Sequence, residues 1–186
     1  FFFLFGTIKV SGQKNVPKKG RLLILANHVS DLDPAAIGFA TPRPVWFMAK
    51  SELFEIPFIK WIIKLYRAFP VKRGKPDRHA LRKAAELLEQ EQAVVMFPEG
   101  QLSEDGRLQE ILPGAALVVR LSNSPIICAG ISGTQRILPF RAIFPRPAFR
   151  KVLIQFGQTK HFDKSTSETE ITSWIAEEFT RLTSPS

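Results

Sequence analysis

The chain has 186 residues, 45% of them hydrophobic, with no repeat or low-complexity tract, which suits one globular domain and excludes a disordered or fibrous chain. Its formal net charge is +9, from 26 Lys and Arg against 17 Asp and Glu, and such an excess favours nucleic acid, acidic lipid or an acidic carrier protein as partner. The single cysteine, Cys128, excludes an internal disulfide and fits a reducing compartment; without zinc-finger spacing, an RNP motif or a bZIP-like basic helix, nucleic acid is not the expected partner.

At the N-terminus, Phe1-Phe2-Phe3-Leu4-Phe5 precede Gly6, far short of the roughly 20 apolar residues that span a bilayer. With no initiator methionine and no signal peptide, residues 1–6 are expected to be the end of an upstream membrane-embedded segment, and 7–186 a single domain. A first strand is predicted over Thr7–Val10 and a second over Arg21–Ala26. The second runs out into Asn27-His28-Val29-Ser30-Asp31-Leu32-Asp33-Pro34. Strand ends are where an α/β fold places its chemistry. Histidine is the side chain whose ordinary pKa lies nearest neutrality, so with a carboxylate fixing its tautomer it takes a proton from a hydroxyl at cellular pH. On that reading His28 is a base and Asp33 its orienter. On the other, Asp33, Asp31 or Ser30 caps a helix over Pro34–Ala40 with proline in its first turn, and His28 is an ordinary loop residue.

A strand over Val45–Ala49 is followed by a predicted helix over Ser51–Tyr66, in which Lys60, Lys64 and Arg67 recur at i, i+4, i+7 and leave Phe58, Trp61, Ile62 and Leu65 to other faces. Such a helix either lies in a lipid headgroup layer or packs on a core with one solvated stripe. A strand over Ala68–Val71 leads to Lys72-Arg73-Gly74, two cations suited to a phosphate or to a solvated basic patch with Lys75 and Arg78. In the helix predicted over Asp77–Gln90, Leu81, Ala84, Ala85 and Leu88 form one apolar face opposite Arg78, Arg82, Glu86 and Glu89. The strand over Ala93–Phe97 stops at Pro98-Glu99-Gly100, so Glu99 should bond either a ligand hydroxyl or backbone amides, or cap the next turn.

Beyond a helix over Gly114–Leu121, a strand over Ile126–Ile131 holds Cys128 and ends in the small-residue turn Ser132-Gly133-Thr134. Nothing near Cys128 would activate its thiol. Arg136, Arg141, Arg146 and Arg150 then alternate with Phe140, Phe144 and Phe149 and with Pro139, Pro145 and Pro147, the pattern of an extended surface loop whose phenylalanines need an apolar partner such as a bilayer. A last strand over Val152–Phe156 precedes a helix opened by Ser167 and Glu170 as a capping box, its apolar Ile171, Trp174, Ile175, Phe179 and Leu182 at helical spacing. His79 and His161 are expected on the surface. No Walker loop, His-Glu-x-x-His or nucleophile-elbow serine is present, so neither a nucleotide cofactor nor a catalytic metal is expected. The alternation of strands and helices predicts an α/β domain: a mixed, mostly parallel sheet with helices packed on it.

Asn-His-x-Ser-x-x-Asp, followed some seventy residues on by Phe-Pro-Glu-Gly, resembles the glycerophospholipid acyltransferase family, which includes the 1-acylglycerol-3-phosphate acyltransferases. Phe69-Pro70-Val71-Lys72-Arg73-Gly74 and Ser124-Pro125-Ile126-Ile127-Cys128 resemble its second and fourth motifs, and the likeness runs from about Val10 to Phe156. It implies the glycerolphosphate acyltransferase-like fold over 7–186, with His28 as catalytic base supported by Asp33, and Asn27, Ser30, Lys72, Arg73, Pro98, Glu99 and Gly100 as substrate-binding residues. The turn at Gly130 and Gly133, or the helix N-terminus near His28, would supply oxyanion donors. It further implies acyl-carrier protein or acyl-coenzyme A as donor substrate with no cofactor, a lysophospholipid acceptor, an anionic membrane surface as partner, and the cytoplasmic face of a membrane as location. Two positions depart from the family pattern. Gln101-Leu102-Ser103 stands where the third motif carries an arginine, which leaves lysophosphatidic acid and lysophosphatidylethanolamine both open as acceptors, and Cys128 replaces a proline of the fourth motif. A basic membrane-binding module without activity is the other functional class.

Overall fold

The computed structural model describes residues 6–72, 77–142, 144–146 and 150–184. Seven strands, β1 (Gly6–Ser11), β2 (Leu22–Ala26), β3 (Trp46–Lys50), β4 (Ala68–Val71), β5 (Ala93–Met96), β6 (Ile126–Ser132) and β7 (Arg150–Phe156), form one sheet in the order β1-β7-β6-β2-β5-β3-β4. The five strands from β6 to β4 are parallel; β7 runs antiparallel to β6 and β1 parallel to β7. The helices are α1 (Asp33–Ala40), α2 (Pro57–Leu65), α3 (Arg78–Glu89), α4 (Gly114–Ser122), α5 (Thr134–Ile137) and α6 (Glu168–Thr183), with 3-10 turns at Gln13–Asn15 and Ser51–Phe54. The expected mixed, mostly parallel α/β sheet is thus present.

The continuous apolar runs of β2, β5 and β6 follow from burial on both faces. Along β2, Leu23 and Leu25 face the core shared with α3, α4 and α6, while Leu22, Ile24 and Ala26 face the core covered by α1. In α3 the predicted Leu81, Ala84, Ala85 and Leu88 are buried, joined by Ala80 and Leu87. Ser167 caps α6, its hydroxyl accepting the Glu170 amide at 3.1 Å, and Ile171, Ile175, Phe179 and Leu182 are its buried face.

The predicted single helix over Ser51–Tyr66 is two elements. Pro57 brings no N–H and holds the residue before it out of the helical region, so Ile56 is extended (φ −87°, ψ 111°) and α2 starts afresh at Pro57. Pro70 is tolerated in β4 because that strand is the edge of the sheet. The basic, aromatic stretch after β6 does not begin as loop: its first residues belong to the short α5. Phe144 there is exposed, whereas Phe149 and Pro147 lie outside the described residues. No described helix is long and apolar enough to cross a membrane, and residues 1–5 lie outside the description.

Candidate active site

All five parallel strands end at the same edge of the sheet, and the loops after β2, β5 and β6 meet there. After β2 the chain turns through His28 into α1, and Asp33 is the first residue of that helix. Asp33 is not its cap: the capping position is Leu32, without a side-chain bond, and Pro34 sits in the first turn. The Asp33 carboxylate instead faces back over the turn. Its Oδ2 lies 3.0 Å from His28 Nδ1 and accepts the amides of Val29 and Ser30, each at 2.7 Å. Its Oδ1 accepts the Thr134 hydroxyl at 2.6 Å. Four donors thus meet a fully buried carboxylate, the pairing that a buried polar group requires.

His28 is held as firmly. Its amide donates to Glu99 Oε1 at 2.8 Å, its carbonyl accepts the Ser103 amide at 2.8 Å, and its ring stacks on Phe97 with centroids 4.2 Å apart. With Asp33 Oδ2 accepting at Nδ1, the tautomer with hydrogen on that nitrogen is selected and Nε2 is left to accept a proton. Nε2 has no hydrogen-bond partner among the described residues.

The other predicted residues divide by position. Glu99, only 3% exposed, bonds backbone amides and no side-chain hydroxyl: besides His28 it accepts the Gln109 amide on Oε2 at 2.9 Å. Burial pushes its carboxyl above the ordinary range, partly offset by those two amides. Pro98 is buried beside it, and Gly100 closes the turn by donating its amide to the Phe97 carbonyl at 3.1 Å. Asn27 spends its whole amide on Ile131, donating to the carbonyl at 3.0 Å and accepting the N–H at 2.6 Å, which ties β2 to β6. The Ser30 hydroxyl donates to the Leu138 carbonyl at 2.8 Å. The structure therefore gives both side chains to the frame of the site.

Of the expected oxyanion donors, the Gly133 amide and those at the start of α1 are likewise committed. Gly133 donates its amide to Gln135 Oε1 at 2.8 Å; with φ +94° it makes a left-handed turn in which a Cβ would run into the Lys151 carbonyl. Gly130 lies within β6, where a Cβ would come 2.8 Å from the Leu182 carbonyl of α6. At the start of α1, the Val29 and Ser30 amides serve Asp33, whose own amide donates to the Ser30 carbonyl at 3.0 Å.

Lys72 follows edge strand β4, its side chain exposed and its amide donating to Asp77 Oδ2 at 2.9 Å. Three strand spacings separate β4 from β2, so the strands that lead to Lys72 and His28 are about 14 Å apart across the sheet. Arg73 lies outside the described residues. Cys128 is fully buried and burial pushes its thiol far up, so it is no nucleophile. His79 and His161 are exposed, as expected. Among the described residues no group of three or more His, Cys, Asp or Glu is placed to hold a metal ion.

Sequence reasoning missed Thr134, Phe97, Ser103 and Gln109 as parts of this site. Thr134 reaches Asp33 across 101 residues of chain, and no local spacing announces such a contact.

A family model described as Acyltransferase matches residues 7–132. The chain is 30% identical over 132 residues to a 1-acyl-sn-glycerol-3-phosphate acyltransferase of Bacillus subtilis, covering 70% of this chain and 65% of that protein. To a chloroplast enzyme of the same name from Arabidopsis thaliana it is 30% identical over 138 residues, 73% of this chain and 38% of that protein. The chain thus spans less than two thirds of the length of these relatives. The crystal structure of the 1-acyl-sn-glycerophosphate acyltransferase of Thermotoga maritima superposes with a TM-score of 0.81 at 26% identity, covering 96% of this chain and 72% of that one. With a family model spanning more than half its length and a dyad at the strand ends, the chain belongs to the acyltransferase family.

Proposed function

We propose that this protein transfers a fatty acyl group from an acyl thioester to the free hydroxyl of lysophosphatidic acid. The observation that carries the reading is the buried His28–Asp33 pair at 3.0 Å, with the carboxylate saturated by donors and Nε2 left to act. Nε2 takes the hydroxyl proton as the oxygen attacks the thioester carbonyl, and Asp33 stabilises the imidazolium that forms. The tetrahedral intermediate collapses, expels the thiolate and leaves the ester; the imidazolium proton goes to the departing sulfur. A thioester is already activated, so this needs no acyl-enzyme and no cofactor. Lys72 and Arg73 are the cations proposed for the acceptor phosphate. The relatives' printed names, which specify 1-acylglycerol-3-phosphate, support that acceptor. Leu102, at the position of the missing arginine, favours lysophosphatidylethanolamine as the second choice.

The proposal includes peripheral association with the cytoplasmic face of a membrane, supported by α2. In that helix Ile59 and Ile63 turn toward the protein, while Phe58, Trp61 and Leu65 are 72%, 64% and 70% exposed and flanked by Lys60 and Lys64. An apolar stripe bordered by cations suits an anionic headgroup layer.

The test is acyl transfer from acyl-carrier protein and from acyl-coenzyme A to a panel of lysophospholipids, native chain against His28→Ala. Loss of the base is expected to slow turnover roughly 10²–10⁴-fold. A His28→Ala protein that is folded and equally active would sink the mechanism. A folded native protein inactive with every pairing would leave the non-catalytic module.

A further inference from the structure

We propose that Thr134 is a positioning residue that holds the Asp33 carboxylate in line with His28. The inference rests on the proposed role of His28 as base and adds a third member to the pair. Thr134 is fully buried and its hydroxyl donates to Asp33 Oδ1 at 2.6 Å, while Oδ2 of the same carboxylate faces His28. The other donors to Asp33 are amides of the turn that carries His28 itself. Thr134 alone comes from a different strand connection, and its place is tightly determined. It is the first residue of α5, it follows the left-handed turn at Gly133, and its carbonyl accepts the Leu138 amide at 2.9 Å. Asn27 locks β2 to β6 two residues before that turn.

Without the Thr134 hydroxyl, Oδ1 becomes a buried acceptor that has lost its side-chain donor. The carboxylate gains freedom to rotate out of line with Nδ1, and the imidazole loses its fixed orientation.

The experiment compares Thr134→Val, which keeps the shape and removes the hydroxyl, with Thr134→Ser, which keeps the hydroxyl. Thr134→Val is expected to lower kcat by roughly ten- to a hundredfold while the acceptor KM stays within about threefold, the split that a misaligned base produces. Thr134→Ser should stay within about threefold of the native chain in both kcat and KM. Unfolding midpoints establish that each variant is folded. A folded Thr134→Val protein with native kcat overturns the inference. So does an equal loss in both variants, which would make Thr134 a packing residue only. If His28→Ala is as active as the native chain, the reading of the base fails instead.

Discussion

Glu99 shows how one buried carboxylate serves two segments of backbone. It accepts the His28 amide on one oxygen and the Gln109 amide on the other. In Glu99→Gln, one of those amides must face an NH2 group, and an unpaired buried donor costs about 1–3 kcal/mol. The size of the effect depends on pH. Burial holds the native Glu99 carboxyl above its unfolded value, so the native state keeps that proton more tightly, and the contribution of Glu99 to stability falls as pH rises through the interval between the two. The advantage of the native chain over Glu99→Gln is therefore expected to be larger near about pH 4 than near about pH 7, as urea midpoints of both proteins would measure. A gap that widens with pH would contradict this sign. At this scale the sequence was partly legible. His28 and Asp33 are five residues apart and Glu99 ends an apolar run, so their types and places could be read. The uses of Asn27 and Ser30 could not, because their partners Ile131 and Leu138 lie 104 and 108 residues away.

Among the elements, α2 differs from the other long helices in that none of its residues is buried. Each cation near an anionic surface contributes about 1 kcal/mol. Reversing two of them, Lys60→Glu with Lys64→Glu, is expected to weaken partition onto vesicles containing phosphatidylglycerol by at least roughly 30-fold in co-sedimentation. Turnover of a water-soluble short-chain substrate should be unchanged, since neither residue belongs to the pair or its clamps. Unaltered vesicle binding would remove α2 as the contact. The elements were legible where periodicity and length agreed: β4 matches its expected bounds, and α3 and α6 present the faces their spacing predicts. The break at Ile56–Pro57 needed more weight on proline than on the apolar period running through it. The short α5 was hidden among prolines and phenylalanines because a single helical turn has no period to show.

Across the whole molecule, the sheet divides the interior into two cores, one under α3, α4 and α6 and one under α1. Phe179 of α6 is fully buried in the first, against a sheet that other helices cover only in part. Phe179→Ala is expected to cost about 3–5 kcal/mol, a large share of the roughly 5–15 kcal/mol that holds a domain folded. The measurement is the urea midpoint; a loss below about 1 kcal/mol would mean that α6 is dispensable to the core. The distribution of the site over the chain has a consequence for how such a protein can change through descent. The pair and its clamps come from residues 27–33, 97–109 and 131–138, whereas β3, α2 and β4, with Lys72 just after, come from residues 46–72. No side-chain hydrogen bond of the pair reaches into that second stretch. Exposed positions there can therefore change, and a lineage can acquire a different headgroup or a different surface to rest on, while the proton-transfer machinery passes unchanged from ancestor to descendant.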